Sequence, residues 1–194
     1  MNEKALDQSA ASNSVNDRAA RNDRSAAFDR PASNRRHSLI VSNAAIAIGS
    51  RIHGHRSEIY VSSMRVRLPN KAVTLPDVVV VSNEPKFTNS EQDLLENPTV
   101  IVEIFSNGTN SSDRTQKLES FLGMESIKEC LLVKEDEMRI EHYARQNAKQ
   151  WIYRIYNERD DVVSMESINC KVSLQEIYAQ IKFGHTQLSS TAVN

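Results

Sequence analysis

Few of the residue types that most readily announce a chemistry are present in this chain. Cysteine occurs twice in 194 residues, as Cys130 and Cys170. Both sit in apolar surroundings outside any Cys-x-x-Cys or Cys/His spacing, which excludes a zinc ribbon or finger and leaves free buried thiols as the expectation. Five glycines build neither a dinucleotide-binding turn nor a phosphate loop, since both need glycines closely spaced ahead of a helix. The Gly-x-Ser-x-Gly elbow of a serine hydrolase is absent. No apolar run approaches the roughly 20 residues of a membrane-spanning helix, and the first residues carry no apolar signal core. No membrane partner and a reducing, cytoplasmic setting are therefore expected. An excess of one charge is missing as well: 24 basic residues face 25 acidic ones, for a net charge of -1. No global positive field draws in nucleic acid, and any basic surface must be local.

What is present suffices for one core, since a chain of this length makes one domain with room for a tail. Residues 1–36 are rich in Ser, Asn, Ala, Asp and Arg, with Phe28 the single aromatic. Such a segment buries too little to offset its ordering entropy, and a disordered tail is expected. Its arginines, Arg18, Arg21, Arg24, Arg30, Arg35 and Arg36, are interleaved with acids, which suits a solvated tail better than a phosphate-binding arm. From His37 an apolar pattern through Leu39, Ile40, Ala44, Ile48 and Ile52 predicts a packed helix. Strands are expected at 58–61, 64–68 and 73–81, the last a Val-rich run that reads as buried on both faces. Residues 82–98 read as a loop with a short helical turn near 91–96. Then come a central strand at 99–105, a helix at 114–122 ended by Gly123, and a strand at 127–133. An antiparallel pair at 138–143 and 151–156 and a strand at 162–168 follow. Ser173, three residues before Glu176, has capping-box spacing for a last helix through Leu174, Ile177, Tyr178 and Ile181. The order predicts an α/β fold with a mixed sheet over 37–182, followed by a flexible tail at 183–194.

Three residues in the middle of the chain could carry chemistry. Asp77 follows Pro76 at the head of Val78–Val81, and Glu103 sits within Val100–Phe105 with Val102 and Ile104 at its sides. On neighbouring strands two such carboxylates meet, and Mg2+ is commonly held by one or two carboxylates with waters and substrate phosphate. The Ile104 carbonyl would add a third oxygen. An ionised Glu in such a strand costs several kcal/mol unless paired or metal-bound, so an ion pair with Arg65 or Arg67 is the other reading. Asp77 could equally cap a turn. Lys117 lies at the border of the inward face of its helix, beside Leu118 and one turn before Phe121. It either reaches the acids, where it would orient water or stabilise charge on a phosphate, or pairs with Asp113 one turn back. Ser106, Thr109, Ser111 and Ser112 read as helix caps. His53 and His55 read as part of a turn, and His142 and His185 have no evident partner in the sequence.

These stretches recur in a familiar order. The helix after His37 is followed by Val61-Ser62-Ser63-Met64-Arg65-Val66, Pro76-Asp77-Val78, and Val102-Glu103-Ile104-Phe105-Ser106 with Thr109. Asp113-Arg114, Lys117 and Phe121 come next, then Ser126-Ile127-Lys128-Glu129 with Leu132-Val133, Trp151, and Leu174 to Tyr178. Together they resemble the Uma-two family of restriction endonuclease-like proteins, a branch of the PD-(D/E)xK nuclease-like superfamily, from His37 to Ile181. The resemblance implies the α-β-β-β-α-β core of that superfamily with an added antiparallel C-terminal hairpin and a final helix. It also implies Asp77 and Glu103 as metal ligands, Mg2+ as the cofactor with Mn2+ as a substitute, and DNA as the substrate of an endonuclease. Lys117 matches the family's alternative place for the lysine, since the superfamily's usual place, two residues after the second acid, holds Phe105. The mildly acidic body of the chain, an altered loop and two missing tyrosines motivate the other reading, a catalytically silent nucleic-acid-binding or protein-interaction module on the same fold. The departures from the family pattern are these. Ser106-Asn107-Gly108-Thr109 stands in place of Ser-Pro-x-Thr, Phe121 and Cys130 stand where tyrosines are usual, and a low-complexity segment replaces an acidic one before the first helix. A homodimer is compatible with the sequence, which does not fix an oligomeric state.

Overall fold

The computed structural model describes residues 33–52, 56–106, 108 and 110–183. The expected tails lie outside the described residues except for 33–36 and 183, as do His53, His55, Asn107, Thr109 and His185. In chain order the elements are α1 (Arg35–Ile52), β1 (Ser57–Val61), β2 (Arg65–Arg67), β3 (Val73–Thr74), β4 (Val78–Ser82), β5 (Leu94–Leu95) and β6 (Val100–Phe105). They continue with α2 (Ser111–Leu122), β7 (Glu129–Lys134), β8 (Ile140–Asn147), β9 (Gln150–Tyr156), β10 (Val162–Met165), a 3-10 turn (Glu166–Ile168), β11 (Cys170–Ser173) and α3 (Leu174–Ile177). All belong to one compact unit that begins at Asn34.

Six strands form the main sheet in the order β1-β4-β6-β7-β8-β9. Only β6 and β7 pair in parallel within it, because α2 between them carries the chain back to the same end of the sheet. The other neighbours are antiparallel. Side chains alternate along each strand, so the sheet separates two cores. On one face Val78, Val80, Val100, Val102, Ile104, Leu131 and Val133 pack against α1, the β10–β11 hairpin and α3. On the other, Val79, Val81, Ile101, Phe105, Cys130 and Leu132 pack against Phe121 of α2 and against Val66 and Leu95 of a small second sheet. Val78 to Val81 are all fully buried, as a strand covered on both faces requires.

Several expected elements differ in extent. The run 73–81 is two strands: β3 joins β2 in the three-stranded sheet, and β4 joins the main one. Pro76 has no N–H to give to a ladder, and the chain changes sheets there. Residues 91–96 hold no helical turn; Leu94–Leu95 instead pairs in parallel with β2. The strand expected at 162–168 ends at Met165, and a second strand, β11, returns antiparallel to it. The last helix has its capping box, with Ser173 and Glu176 bonded in both senses, but spans only Leu174–Ile177. Arg35 and Arg36, expected in the tail, open α1.

Candidate functional site

One end of the main sheet gathers the start of β4, the ends of β6 and β7, and the N-terminal turns of α1 and α2. The β4–β6 ladder pairs Val78 with Val102, so one further step sets Asp77 opposite Glu103. Asp77 is fully buried. Its Oδ2 accepts from the Ile104 N–H at 2.8 Å, and its Oδ1 lies 2.9 Å from His37 Nε2. The carboxylate thus occupies the place in the ladder that a strand carbonyl would take, which explains why β4 begins only at Val78.

Glu103 alternates with Val102 and Ile104 and so faces α2. It is buried, and Lys117 Nζ lies 2.8 Å from its Oε1. Of the two partners open to Lys117, the structure shows the reach to Glu103. Arg65, an expected rival for Glu103, instead meets Asp93 at 3.1 Å. One turn before Lys117, Arg114 lies over the Phe105 ring at 4.0 Å from its centroid and places Nη2 2.5 Å from Glu141 Oε2. Arg139 Nε meets the other Glu141 oxygen at 3.4 Å. Two cations of α2 therefore descend onto two buried acids of the sheet, Glu103 on β6 and Glu141 on β8.

The helix that carries these cations has Asn110 as its N-cap, whose side chain accepts from the Ser112 N–H, so Ser111 and Ser112, expected among the caps, fall inside its first turn. Phe121 is fully buried and seats α2 on the sheet. Cys130 is fully buried as well, and burial first, then the charge of Glu103, push its thiol above its usual range. Both cysteines are free, as expected.

Among the described residues no cluster of three or more His, Cys, Asp or Glu heads is placed to hold an ion. A pair of carboxylates is nevertheless the protein donor set that Mg2+ uses when waters and substrate oxygens complete the shell. Asp77 and Glu103, set opposite one another across the β4–β6 ladder, would be the two carboxylates of such a shell. His37 was not legible as a partner of Asp77, because 40 positions separate them and only the packing of α1 brings them together. His142 corrects the sequence reading outright: its Nε2 lies 2.7 Å from Glu129 Oε2, both residues buried. Glu129 Oε1 also accepts from Ser167 N–H at 2.7 Å. Register places this pair on the face opposite Glu103, away from the site.

The comparisons with known proteins follow the same lines. A family model described as Uma2, putative restriction endonuclease, matches residues 27–175. The chain belongs to this family. Of its curated relatives, the uncharacterized protein sll1609 of Synechocystis sp. is 31% identical over 117 residues, 60% of this chain and 66% of the relative. The uncharacterized protein slr1290 of the same organism is 25% identical over 148 residues, 76% of each. The chain thus spans just under two thirds of the length of the first. A solved structure described as a putative nuclease belonging to DUF820 from Anabaena variabilis matches with a TM-score of 0.61 at 18% identity, over 77% of this chain and 83% of that one. The Uma2 chain shares its fold, a mixed α/β arrangement of the kind expected from the order of elements and from the family resemblance.

Proposed function

We propose that this chain is a metal-dependent endonuclease that cleaves DNA phosphodiester bonds, a specific form of the nuclease-like role its family suggests. One observation carries the reading: Lys117 of α2 meets buried Glu103 of β6 at 2.8 Å, beside the strand end where Asp77 is bonded to the Ile104 amide. Asp77 and Glu103 would hold Mg2+, or Mn2+ in its place, which when bound polarises a phosphate oxygen and acidifies a water. Asp77, tied to the backbone of β6 and to His37, stays fixed relative to Glu103. Lys117 stands over Glu103 and stabilises the negative charge that builds on the phosphoryl oxygens as water adds and the P–O bond to the leaving sugar breaks. Arg114, held over Phe105 by Glu141, offers a second positive group to the flanking backbone phosphate.

Purified protein is expected to nick supercoiled DNA with Mg2+ or Mn2+. Glu103→Ala should abolish nicking, and Lys117→Ala should slow it by about 100-fold or more, the usual cost of losing one donor to a transition-state charge. Equal trace activity in wild type and both variants overturns the reading. One feature favours the silent module: His37 and Lys117 already lie against the two acids, at 2.9 and 2.8 Å. Calorimetric titration with Mn2+ separates the two, because no detectable binding leaves only the module.

A further inference from the structure

We infer that His37 positions Asp77 for its ligand role, with Glu135 and Asn34 fixing the imidazole from behind; the inference rests on the metal site just proposed. A fully buried carboxylate needs compensating bonds, and Asp77 takes them from two directions. The sheet supplies the Ile104 N–H at 2.8 Å, and α1 supplies His37 Nε2 at 2.9 Å. Two donors on different oxygens fix both the position and the plane of the carboxylate.

The imidazole is itself held. Its Nδ1 faces Glu135 Oε2 at 3.7 Å, and Glu135 Oε1 accepts from Asn34 Nδ2 at 2.9 Å. Asn34 Oδ1 in turn accepts from the His37 backbone N–H at 2.9 Å, which closes a ring of contacts around the first turn of α1. The Glu135 N–H donates to the Phe105 carbonyl at 2.9 Å, so this ring is anchored two residues beyond Glu103 on the strand that carries it. Both acids are thereby referred to one rigid frame. Partners of ligating carboxylates and imidazoles are worth about 10- to 100-fold in metal affinity, and His37 occupies that place for Asp77.

The test measures Mn2+ affinity of the full chain by calorimetry, with melting temperatures recorded alongside. A glutamine amide nitrogen lies about as far from the backbone as imidazole Nε2, whereas an asparagine amide reaches only the Nδ1 position. His37→Ala and His37→Asn are expected to weaken Mn2+ binding about 10- to 100-fold, and His37→Gln to restore it to near the wild-type value. A merely structural role for His37 would move the melting temperature and would not separate Gln from Asn. Should His37→Ala fold poorly, the Gln and Asn variants compared below their melting temperatures still decide. His37→Ala binding Mn2+ as wild type does, or Gln proving no better than Asn, overturns the positioning role while leaving the metal site intact. Wild-type affinity in Asp77→Asn overturns the metal site itself, and the positioning role with it.

Discussion

Lys117 and His142 each lie against a buried glutamate, but with different exposure. The Lys117 side chain is 37% exposed, whereas those of His142 and Glu129 are 1% and 3% exposed. Water screens the first pair, so Lys117→Ala should cost only about 1 kcal/mol. Removing one partner of a buried pair leaves a polar group uncompensated, and His142→Ala should cost about 3 to 5 kcal/mol in urea denaturation. An equal loss for the two variants would show that exposure does not govern them. The same contrast makes Lys117→Ala the cleaner functional probe, because a loss of nicking in a nearly fully stable protein is a loss of chemistry. At this scale Glu103 stood out in the sequence, since an acid set between valine and isoleucine demands compensation, whereas Asp77 read equally as a turn cap. The choice of Lys117 between Asp113 and Glu103 did not, because it depends on how α2 docks. Nor did the partners of His37 and His142, which local sequence leaves far apart.

The elements that pattern recognised best are those with a periodic apolar face: α1, β6, α2, and the β8–β9 pair. Those it missed are short and held by their neighbours. Leu94–Leu95 is a strand only because β2 lies beside it, and β11 exists as the return of β10. The run from Val73 to Val81 reads as continuous because valine favours extended chain on either side of Pro76, and apolarity alone does not say which sheet each half joins. The capping box of α3 was legible from Ser173 and Glu176, yet the helix stops at Ile177, and the Ile181 N–H bonds to the Tyr178 carbonyl in a turn. That box has a pH signature. The Ser173 backbone N–H, followed by Arg51 and the Ser173 hydroxyl, holds the Glu176 carboxyl below its ordinary value of 4.5 against a smaller opposing push from burial. The folded state therefore binds this proton less readily than the unfolded chain. Glu176 contributes stability above pH 4.5 and loses it as pH falls through the folded value. Glu176→Gln should flatten the decline in melting temperature below pH 4.5, and a decline as steep as in wild type would refute the assignment.

Across the whole molecule, the sheet divides two cores, and the candidate site draws on both: His37 comes from the helix on one face and Lys117 from the helix on the other. The alternation of helices and strands sufficed to predict a mixed sheet, and α2 between β6 and β7 accounts for their parallel pairing. The insertion of β4 between β1 and β6, which sets Asp77 opposite Glu103, was not legible, since nothing local encodes strand order. Because Phe121 seats α2 on one core, Phe121→Ala should cost about 3 to 5 kcal/mol and also slow nicking as Lys117 loses its placement. Stability and activity measured together should fall together, unlike in Lys117→Ala; full activity in a destabilised Phe121→Ala protein would show that α2 holds Lys117 without it. The bond from the Ile104 amide to Asp77 has a consequence of another kind. It makes one backbone N–H of β6 sense the electronic state of a side chain at the site. In a proton–nitrogen correlation spectrum the Ile104 resonance becomes a gauge of that carboxylate, which the proposed metal site requires to shift on addition of Mg2+, with no nucleic acid in the tube.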